Sequence, residues 1–548
     1  MTTIPPAYSI LHRLLPDSVA KKYAYAILSG TMLGFAFPPF NLGFIGYVAL
    51  LPLFLLVEQL VQEKISGITT YLYVTYFLYQ GIANWWVGSW QKESDPFLMV
   101  AGIALQIGHP FFLMLPFIVY FYVRKRINHR FIVFTLPLFY VSYEWLHSLT
   151  DASYPWLTIG YMNVNMPLLA QFADVFGVWG LTFLMVFIQS LLYWILTAHA
   201  KRDIIRGVLL FSMIVIGIIG YGFIRLNDIQ ELTSKASKLE IGIVQPNINP
   251  WNKWSSEVSD QIHIHKETIR SSKLSSPDIW IWSETAIPFM NIELNVNKDF
   301  TYFKSIMGAT PILTGFAHLE LVRNPDSEPL AKPFRLIPES YYVAYNAAAL
   351  VQDTMIQVHK KMKLTPFGEG VPFSQDIPWL GQILQWGVGI SGWKKGDIQQ
   401  PLDLYRNDTV IASIGTVICI ESIYPGFVKS YVDSGATMLA VITNDAWFDN
   451  TPGPMQHFAI SQMRAIENRR AIARCGNTGV SGIIMPDGSV STIAPVQTRI
   501  AISGSVPQLN YVSIYAAIGD LLPMISTLCS FLFIFYAGYI GISLRSKE

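Results

Sequence analysis

Residues 23–57 read YAYAILSGTMLGFAFPPFNLGFIGYVALLPLFLLV, a run of 35 residues without Asp, Glu, Lys or Arg. A helix needs about 20 apolar residues to cross the hydrocarbon core of a bilayer, so the run is long enough for two short crossings. The break Pro38-Pro39-Phe40-Asn41 divides it, because proline disrupts a helix interior. The stretch therefore predicts a membrane protein that begins with a pair of helices.

Other parts of the chain repeat this pattern. Charge-free runs cover 65–91, 96–123, 175–200, 207–224 and 521–544, and a weaker run at 131–150 is interrupted by Glu144. We predict about eight spans, seven before residue 226 and one at the C-terminus. The composition agrees, because 14% of residues are charged against about 25% in soluble domains. Glu144 is interpreted as a structural pairing, with a role in holding a lipid headgroup or the catalytic domain as the alternative.

Basic residues in short loops mark the cytoplasmic side of a membrane protein. The loops 124–130 and 201–206 are rich in Lys and Arg, whereas the loop 151–174 contains neither. The pattern predicts that both chain ends lie inside. The predicted units are a seven-span membrane domain (1–225), a second domain on the outer face (226–512) and a C-terminal span with its tail (513–548).

Composition also excludes several classes of protein. The net charge of +1 gives no overall field that would attract nucleic acid. Three cysteines are too few and too scattered for a disulfide framework or a zinc site. His263-x-His265 has metal-like spacing without an apparent third ligand, so neither a metal nor a cofactor is predicted. His457 is interpreted as a residue that packs or bonds locally.

From about residue 238 the sequence pattern changes, and short apolar runs alternate with turns and helical patterns. The strand-like runs are 241–245, 279–282, 311–314, 347–351, 417–419 and 438–443. Residues 456–474 predict an amphipathic helix that leads into a strand. Apolar strands that alternate with helices predict an α/β layered domain with a buried sheet.

Three candidate reactive groups follow or end such strands: Glu284, Lys361 and Cys419. Each alone is more often structural, as a cap, a solvated charge or a small buried residue. Together they fit one chemistry, because a free thiol with a pKa of about 8.5 is mostly protonated near neutral pH. A carboxylate base can remove that proton, and an ammonium can stabilise the thiolate and the oxyanion of an attacked acyl group.

Several longer motifs surround these residues, and in order and spacing they make the chain similar to one family. It resembles the apolipoprotein N-acyltransferases, the membrane branch of the carbon-nitrogen hydrolase (nitrilase) superfamily, over nearly its whole length. The matching pieces are Pro155-Trp156-Leu157, Val244-Gln245, Asn247-Ile248, Trp282-Ser283-Glu284-Thr285, Lys361-x-x-Leu364-x-Pro366-Phe367-Gly368-Glu369-x-Val371-Pro372, Ile418-Cys419-x-Glu421, Asn444-Asp445-x-Trp447-Phe448, Gly453-Pro454-x-Gln456-His457 and Arg464-Ala465-x-Glu467.

The resemblance implies a membrane α-helical bundle joined to a nitrilase-type αββα sandwich. It implies Glu284 as the general base, Lys361 as the oxyanion-stabilising lysine and Cys419 as the nucleophile. Lys361 is preferred to its neighbouring lysines because it lies eight residues before Glu369, as in the family motif. Glu369 and Glu421 match supporting glutamates of the family.

Two tryptophans, Trp254 and Trp447, are assigned to substrate binding on the same resemblance. The chain departs from the family at Ile420, where relatives often have Tyr, and at Pro246, where Gly is usual. Neither departure touches the three catalytic candidates. The first bears on the packing of an acyl chain or a headgroup.

The activity implied by the resemblance has two halves. Cys419 takes a fatty acyl chain from a membrane phospholipid, with phosphatidylethanolamine as the expected donor, and forms a thioester. The acyl chain then passes to the N-terminal amine of the diacylglyceryl-cysteine of a lipoprotein. The expected location is the bacterial inner membrane, with the catalytic domain on the periplasmic side.

Alternatives remain open at this stage. The runner-up is a membrane-anchored nitrilase-type amidase that hydrolyses a small amide with water. A transporter or receptor is a third class, although only Glu144 places a charge within the spans. The uncharged stretch 377–393 is either a lid over the site or an ordinary packed helix and loop.

Overall fold

The computed structural model describes residues 14–89, 96–198, 200–251, 253, 257–290, 303, 305, 308, 310–325, 328–334, 339–353, 355–373, 377, 392–448 and 450–545. Helices dominate the chain before residue 236. They are α1 (Val19–Ala36), α2 (Leu51–Gln62), α3 (Thr69–Asn84), α4 (Pro96–Leu113), α5 (Leu115–Arg126), α6 (Leu136–Ser148), α7 (Pro167–Ala170), α8 (Ala173–Leu196) and α9 (Lys201–Lys235).

Within the described residues, five helical stretches are long and apolar enough to cross a membrane. They are Gly43–Gln62, Leu98–Arg126, Ala173–Leu196, Lys201–Lys235 and Leu521–Ser543. The remaining predicted spans contain the shorter helices α1, α3 and α6, of 18, 16 and 13 residues, against the roughly 20 residues of a full crossing. A helical membrane region is confirmed, and eight crossings remain a prediction.

Glu144 has a structural role within this bundle. One of its oxygens accepts a hydrogen bond from the Ile159 N–H at 2.9 Å, and the other accepts one from the Thr182 hydroxyl at 2.7 Å. The side chain is buried. It therefore ties α6 to α8 and to the turn at Ile159, which satisfies a carboxylate that would be costly to bury alone.

The second part of the chain contains two β-sheets and their helices. The strands are β1 (Lys238–Gln245), β2 (Ile279–Trp282), β3 (Ile287–Met290), β4 (Ile312–Val322), β5 (Lys332–Pro333), β6 (Tyr341–Gln352), β7 (Met355–Lys360), β8 (Leu402–Arg406), β9 (Thr409–Ile418), β10 (Met438–Thr443), β11 (Ile472–Gly476), β12 (Gly482–Ile484), β13 (Val490–Ile493) and β14 (Ile500–Pro507). The helices are α10 (Val258–Ser272), α11 (Pro425–Asp433), α12 (Pro452–Asn468), α13 (Ile514–Ile518) and α14 (Leu521–Arg545).

The first sheet has the order β14-β1-β2-β4-β6-β5, with β3 beside β4 and β7 beside β6. The second has the order β13-β12-β11-β10-β9-β8. Ile241 and Ile281 of the first sheet share one core with Ile418 and Ile442 of the second. The two sheets therefore pack face to face around aliphatic side chains, as the near-continuous apolar strands require.

Helices cover the outer faces of both sheets. Ile262 of α10 packs with Trp280 and Trp282 on the first sheet. Val428 of α11 and Ala465 of α12 pack on the second sheet. The four layers form an αββα sandwich, so the fold class expected from the sequence is confirmed. Each of the six strand-like runs contributes to a strand, and residues 456–474 contain α12 followed by the start of β11.

The sandwich contacts the helical bundle through the start of α12. Gln456 is buried and forms four hydrogen bonds with the bundle. Its amide donates to the Pro38 and Ala83 carbonyls at 2.8 and 2.7 Å. Its oxygen accepts from the indole N–H groups of Trp86 and Trp156 at 3.1 and 2.8 Å. One side chain therefore joins the sandwich to three separate segments of the bundle.

Candidate active site

Cys419 lies in a short 3-10 turn that directly follows β9. Its φ is +52°, in the left-handed region, where a non-glycine residue costs about 1–2 kcal/mol. Strand β9 runs parallel to β10, so the residues after both strands meet at one edge of the second sheet. Glu421 stabilises the turn because its carboxylate accepts from the Ile418 N–H at 2.8 Å.

Glu284 follows β2 in a turn that requires a glycine opposite. Thr285 has a φ of +46°, and the turn lies against Gly315 of β4. A Cβ on Gly315 would lie 2.5 Å from the Thr285 nitrogen and 2.6 Å from the Glu284 Cα. The side chain of Glu284 is buried, and its Oε2 accepts from the Asn444 N–H at 2.8 Å. This bond joins the ends of the two sheets.

Lys361 follows β7 and is fully buried. Its N–H donates to the Asn346 carbonyl at 2.8 Å, which continues the pairing of β7 with β6. Its ammonium lies 3.1 Å from Glu284 Oε1 and 2.7 Å from Glu369 Oε2. Burial opposes the charge on Lys361, but the two carboxylates raise its pKa well above the ordinary value. The lysine is therefore cationic.

Cys419 carries a free thiol, and the residue as a whole is half-buried. Burial raises its pKa well above the ordinary value, the charge of Glu284 raises it further, and Lys361 opposes both. The resting thiol is therefore protonated. It lies close enough to Glu284 and Lys361 for their charges to shift its pKa. The structure brings together the three candidates that the sequence places at 284, 361 and 419.

Glu369 and Asn346 complete the surroundings of Lys361. The Asn346 amide donates to Glu284 Oε1 and to Glu369 Oε1, each at 2.7 Å. Thr365 donates to the other oxygen of Glu369 through its N–H at 2.8 Å and its hydroxyl at 2.9 Å. Burial opposes the ionisation of Glu369, yet Lys361 lowers its pKa below the ordinary value.

Asn346 is absent from the sequence-based candidates. The available signal was a single amide within an otherwise apolar stretch of β6, where a buried polar group needs partners.

Glu421 connects the Cys419 turn to the segment that carries Lys361. Its Oε1 accepts from the Met362 N–H at 2.7 Å and the Lys363 N–H at 3.3 Å. Its other oxygen binds the Ile418 N–H, and the side chain is fully buried. Glu421 therefore fixes the position of the Cys419 turn relative to the segment after Lys361 through backbone groups.

Lys253 is a further buried cation beside Glu284 that the sequence patterns do not indicate. Its ammonium donates to the Glu284 carbonyl at 3.2 Å and to the Thr285 hydroxyl at 3.0 Å. Burial lowers the pKa of Lys253 to about 7, with partial opposition from the Glu284 charge. The residue lies outside the strand-like and helical runs of the sequence, where no periodicity marks a residue as buried.

The remaining candidates have mixed outcomes. Trp447 is half-buried, its ring lies 4.9 Å from that of Trp251, and its carbonyl accepts from the Ser89 hydroxyl of the bundle. Trp254 lies outside the described residues, as does most of the proposed lid 377–393. Trp393, at the end of that stretch, is buried.

No metal site emerges within the described part of the chain, where no group of three or more His, Cys, Asp or Glu residues could hold an ion. His265 instead stacks on Trp282 with ring centroids 4.2 Å apart. Its Nδ1 lies 2.7 Å from the Gln261 carbonyl. His265 is therefore a packing residue that joins α10 to β2.

Comparisons with known proteins agree with both halves of this architecture. Residues 29–191 match the family model of the apolipoprotein N-acyltransferase N-terminal domain. Residues 240–507 match the carbon-nitrogen hydrolase model. The fold and the site therefore define a carbon-nitrogen hydrolase domain attached to a helical membrane bundle.

Curated relatives identify the family within that class. The chain is 32% identical to the apolipoprotein N-acyltransferase of Chlorobaculum tepidum, over 94% of this chain and 95% of the relative. It is 26% identical to that of Geobacter metallireducens, over 92% and 93%. The chain belongs to the apolipoprotein N-acyltransferase family. Yeast Nit3, of the nitrilase superfamily, is a distant structural likeness, with 14% identity and a TM-score of 0.36 over 52% of this chain and 95% of that chain.

Proposed function

We propose that this chain transfers a fatty acyl chain from a membrane phospholipid, through a thioester on Cys419, to the N-terminal amine of a diacylated lipoprotein. Family membership supports the acyltransferase activity. The observation that carries the proposed chemistry is the contact of Lys361 with Glu284 and Glu369, beside a thiol whose pKa responds to their charges.

In the first half, Glu284 takes the proton of the Cys419 thiol, and the sulfur attacks the ester carbonyl of the phospholipid. The Lys361 ammonium stabilises the oxyanion, because a fixed cation in a buried site is worth more than one in water. When the tetrahedral species collapses, the ester C–O bond breaks, and Glu284 returns the proton to the leaving alkoxide. Lysophospholipid departs and the acyl thioester remains.

In the second half, the α-amine of the lipoprotein's diacylglyceryl-cysteine attacks the thioester carbonyl. Glu284 accepts a proton from the attacking nitrogen, and the C–S bond breaks. The proton returns to the Cys419 sulfur, which restores the resting thiol. The product is a triacylated lipoprotein, and the enzyme is ready for a second phospholipid.

The amidase alternative uses the same residues with water as the second nucleophile. The contacts of the sandwich with the bundle favour the transferase. Tyr424 directly follows the Cys419 turn, and its hydroxyl lies 3.0 Å from the Ser153 hydroxyl. Tyr161 donates to the Ile423 carbonyl at 3.3 Å. The Cys419 turn is thus held directly against the helical bundle, where acyl donors in a bilayer are close.

Phosphatidylethanolamine as the donor and the periplasmic side of the bacterial inner membrane as the location belong to the same proposal. The Lys and Arg residues of the loops 124–130 and 201–206 support this orientation, because basic loops remain on the cytoplasmic side.

The decisive experiment is the intact mass of the purified enzyme after incubation with phosphatidylethanolamine vesicles. We expect a fatty-acyl adduct that maps to Cys419 and is absent from C419A. Adding a peptide with an N-terminal diacylglyceryl-cysteine should discharge the adduct onto the peptide amine. Release of free fatty acid at the same rate with and without the peptide would favour the amidase, and the absence of any Cys419 adduct would contradict the proposal.

A further inference from the structure

A buried chain of polar side chains lies behind the nucleophile and has no part in the chemistry described above. We propose that His457 is a positioning residue for Cys419, and that Asp445 and Ser422 connect it to the Cys419 backbone. The inference rests on the proposed role of Cys419 as the nucleophile. It concerns a side chain that touches neither substrate nor the reacting sulfur.

The chain begins at Asp445, in the turn after β10. Asp445 Oδ2 accepts from the Arg474 guanidinium at 2.6 Å, and its Oδ1 lies 2.8 Å from His457 Nδ1. Burial opposes its charge, but His457 and Arg474 lower the pKa of Asp445. An ionised carboxylate only accepts hydrogen bonds, so the proton of the imidazole lies on Nδ1.

The other ring nitrogen faces the nucleophile turn. His457 Nε2 lies 2.7 Å from the Ser422 hydroxyl and 3.2 Å from the Cys419 carbonyl oxygen. The Ser422 hydroxyl also lies 2.9 Å from that carbonyl. Burial and the charge of Arg474 lower the pKa of His457. The neutral ring therefore accepts at Nε2. The Ser422 hydroxyl has one proton and faces two acceptors, Nε2 and the Cys419 carbonyl oxygen, so the ring acts on the nucleophile by orienting this hydroxyl.

These contacts end at the residue whose backbone most needs external support. Cys419 has a left-handed φ of +52°, and such a conformation persists only where its surroundings determine it. Glu421 holds the amide side of the turn through the Ile418 N–H. On the carbonyl side the donor is the Ser422 hydroxyl, which His457 orients. Together the two sets bind backbone groups before and after the nucleophile.

The geometry of Asp445, His457 and Ser422 matches the distances of a nucleophilic serine triad. That function does not fit Ser422, because its hydroxyl has no exposed surface and already contacts the Cys419 carbonyl at 2.9 Å. The arrangement therefore acts on Cys419 through its backbone.

The same helical turn also connects the nucleophile to the bundle. Gln456, the preceding residue, makes four hydrogen bonds to the bundle. The Trp156 ring lies 5.4 Å from the His457 ring. A shift in how the bundle meets α12 would therefore reach the Cys419 carbonyl through a single residue.

The test compares H457A, H457Q and S422A with S461A in the full-length enzyme. Ser461 is a matched control, since its buried hydroxyl donates to the His457 carbonyl at 3.0 Å within α12. Two readouts are measured: the rate constant and half-saturating phospholipid concentration for Cys419 acylation, and the rate of Cys419 alkylation by iodoacetamide. The melting temperature reports folding.

We expect H457A to lower the acylation rate constant by about 100-fold, as a misplaced reactive group does, with an unchanged half-saturating concentration. S422A should lose less, and H457Q should recover part of the rate because its amide oxygen can accept from Ser422. S461A should behave as wild type. The alkylation rate should fall in H457A and S422A, fall less in H457Q, and stay unchanged in S461A.

Folded H457A and S422A variants with wild-type rates would overturn the inference. If H457A does not fold, the rates of S422A alone decide whether the inference holds. The alkylation readout needs no phospholipid, so it remains informative if wild type forms no acyl adduct, a result that would count against the proposed function instead.

Discussion

At the scale of single residues, the site solves the problem of generating a thiolate inside a protein. Glu284 and Glu369 surround one ammonium, that of Lys361. Transfer of the Cys419 proton to Glu284 would move a negative charge from carboxylate to sulfur and leave the net charge of the cluster unchanged. Because no additional charge is buried, the transfer avoids most of the desolvation penalty of an isolated thiolate.

The pKa of Cys419 gives a prediction about pH. A raised pKa means that the fold favours the neutral thiol, so the thiolate fraction at any given pH is lower than for an ordinary cysteine. We expect the rate of Cys419 alkylation by iodoacetamide, followed by peptide mass spectrometry, to continue rising past about pH 8.5, where a free thiol reaches half ionisation. A rate that levels off below that pH would contradict a raised pKa.

The sequence indicated the residues that belong to local motifs and missed those whose role depends on distant partners. Glu284 follows an apolar strand, Cys419 follows another, and Lys361 begins a longer motif, so all three can be recognised from their neighbours. Asn346 lies 62 positions from Glu284, and Lys253 lies 31 positions from it. Their proximity arises only when the strands assemble, so no local pattern reveals it.

At the scale of elements, the turn after β2 depends on the strand beside it. Strand β4 approaches the Glu284 turn so closely that only a glycine fits at position 315, where an added Cβ would meet three backbone atoms at 2.5–2.7 Å. Backbone atoms cannot move aside as the end of a flexible side chain can.

We therefore expect G315A to displace Glu284 and to slow Cys419 acylation by about 100-fold, the cost of a misplacement near 1 Å, although no reactive group is removed. The measurement is the single-turnover appearance of the acyl adduct. G67A is the control, because a Cβ there meets nothing within 4 Å. Equal rates for G315A and G67A would show that the turn tolerates the displacement.

Strands were easier to predict than membrane helices. The six strand-like runs were recognisable because strands covered on both faces are apolar at nearly every position. The helix lengths were less predictable, because a run without charges does not show where a helix ends. In 65–91 the α-helix α3 ends at Asn84 and a 3-10 turn, Trp85–Gly88, follows.

At the scale of the whole molecule, the joint between sandwich and bundle depends on Gln456. Substitution by alanine leaves the Trp156 indole N–H and the Pro38 carbonyl without this partner, and each buried unpaired group costs about 1–3 kcal/mol. We expect Q456A to lower the melting temperature in lipid nanodiscs and to slow acylation. Q462A is the matched control, because Gln462 of the same helix donates to the Gly488 carbonyl of the sandwich itself, at 2.9 Å. Similar melting temperatures for both variants would show that the hydrogen bonds of Gln456 do not stabilise the contact between sandwich and bundle.

Orientation can be tested in spheroplasts with a membrane-impermeant maleimide. Lys273 and Lys64 are both exposed, and the proposed topology places them on opposite sides of the membrane. K273C should react in intact spheroplasts, whereas K64C should react only after permeabilisation, because the reagent cannot cross the bilayer. Labelling of K64C alone in intact spheroplasts would place the catalytic domain in the cytoplasm.

The four hydrogen bonds of Gln456 have a consequence for anyone who wishes to crystallise or engineer the sandwich as a soluble fragment. All its partners, from Pro38 to Trp156, lie before residue 226. Excision would expose the start of α12 to water beside the Cys419 turn. Without its contacts to the bundle, that turn would be free to change conformation. A workable fragment would need a redesigned patch of polar residues there, and its thiol would lose the scaffold that the membrane helices now supply.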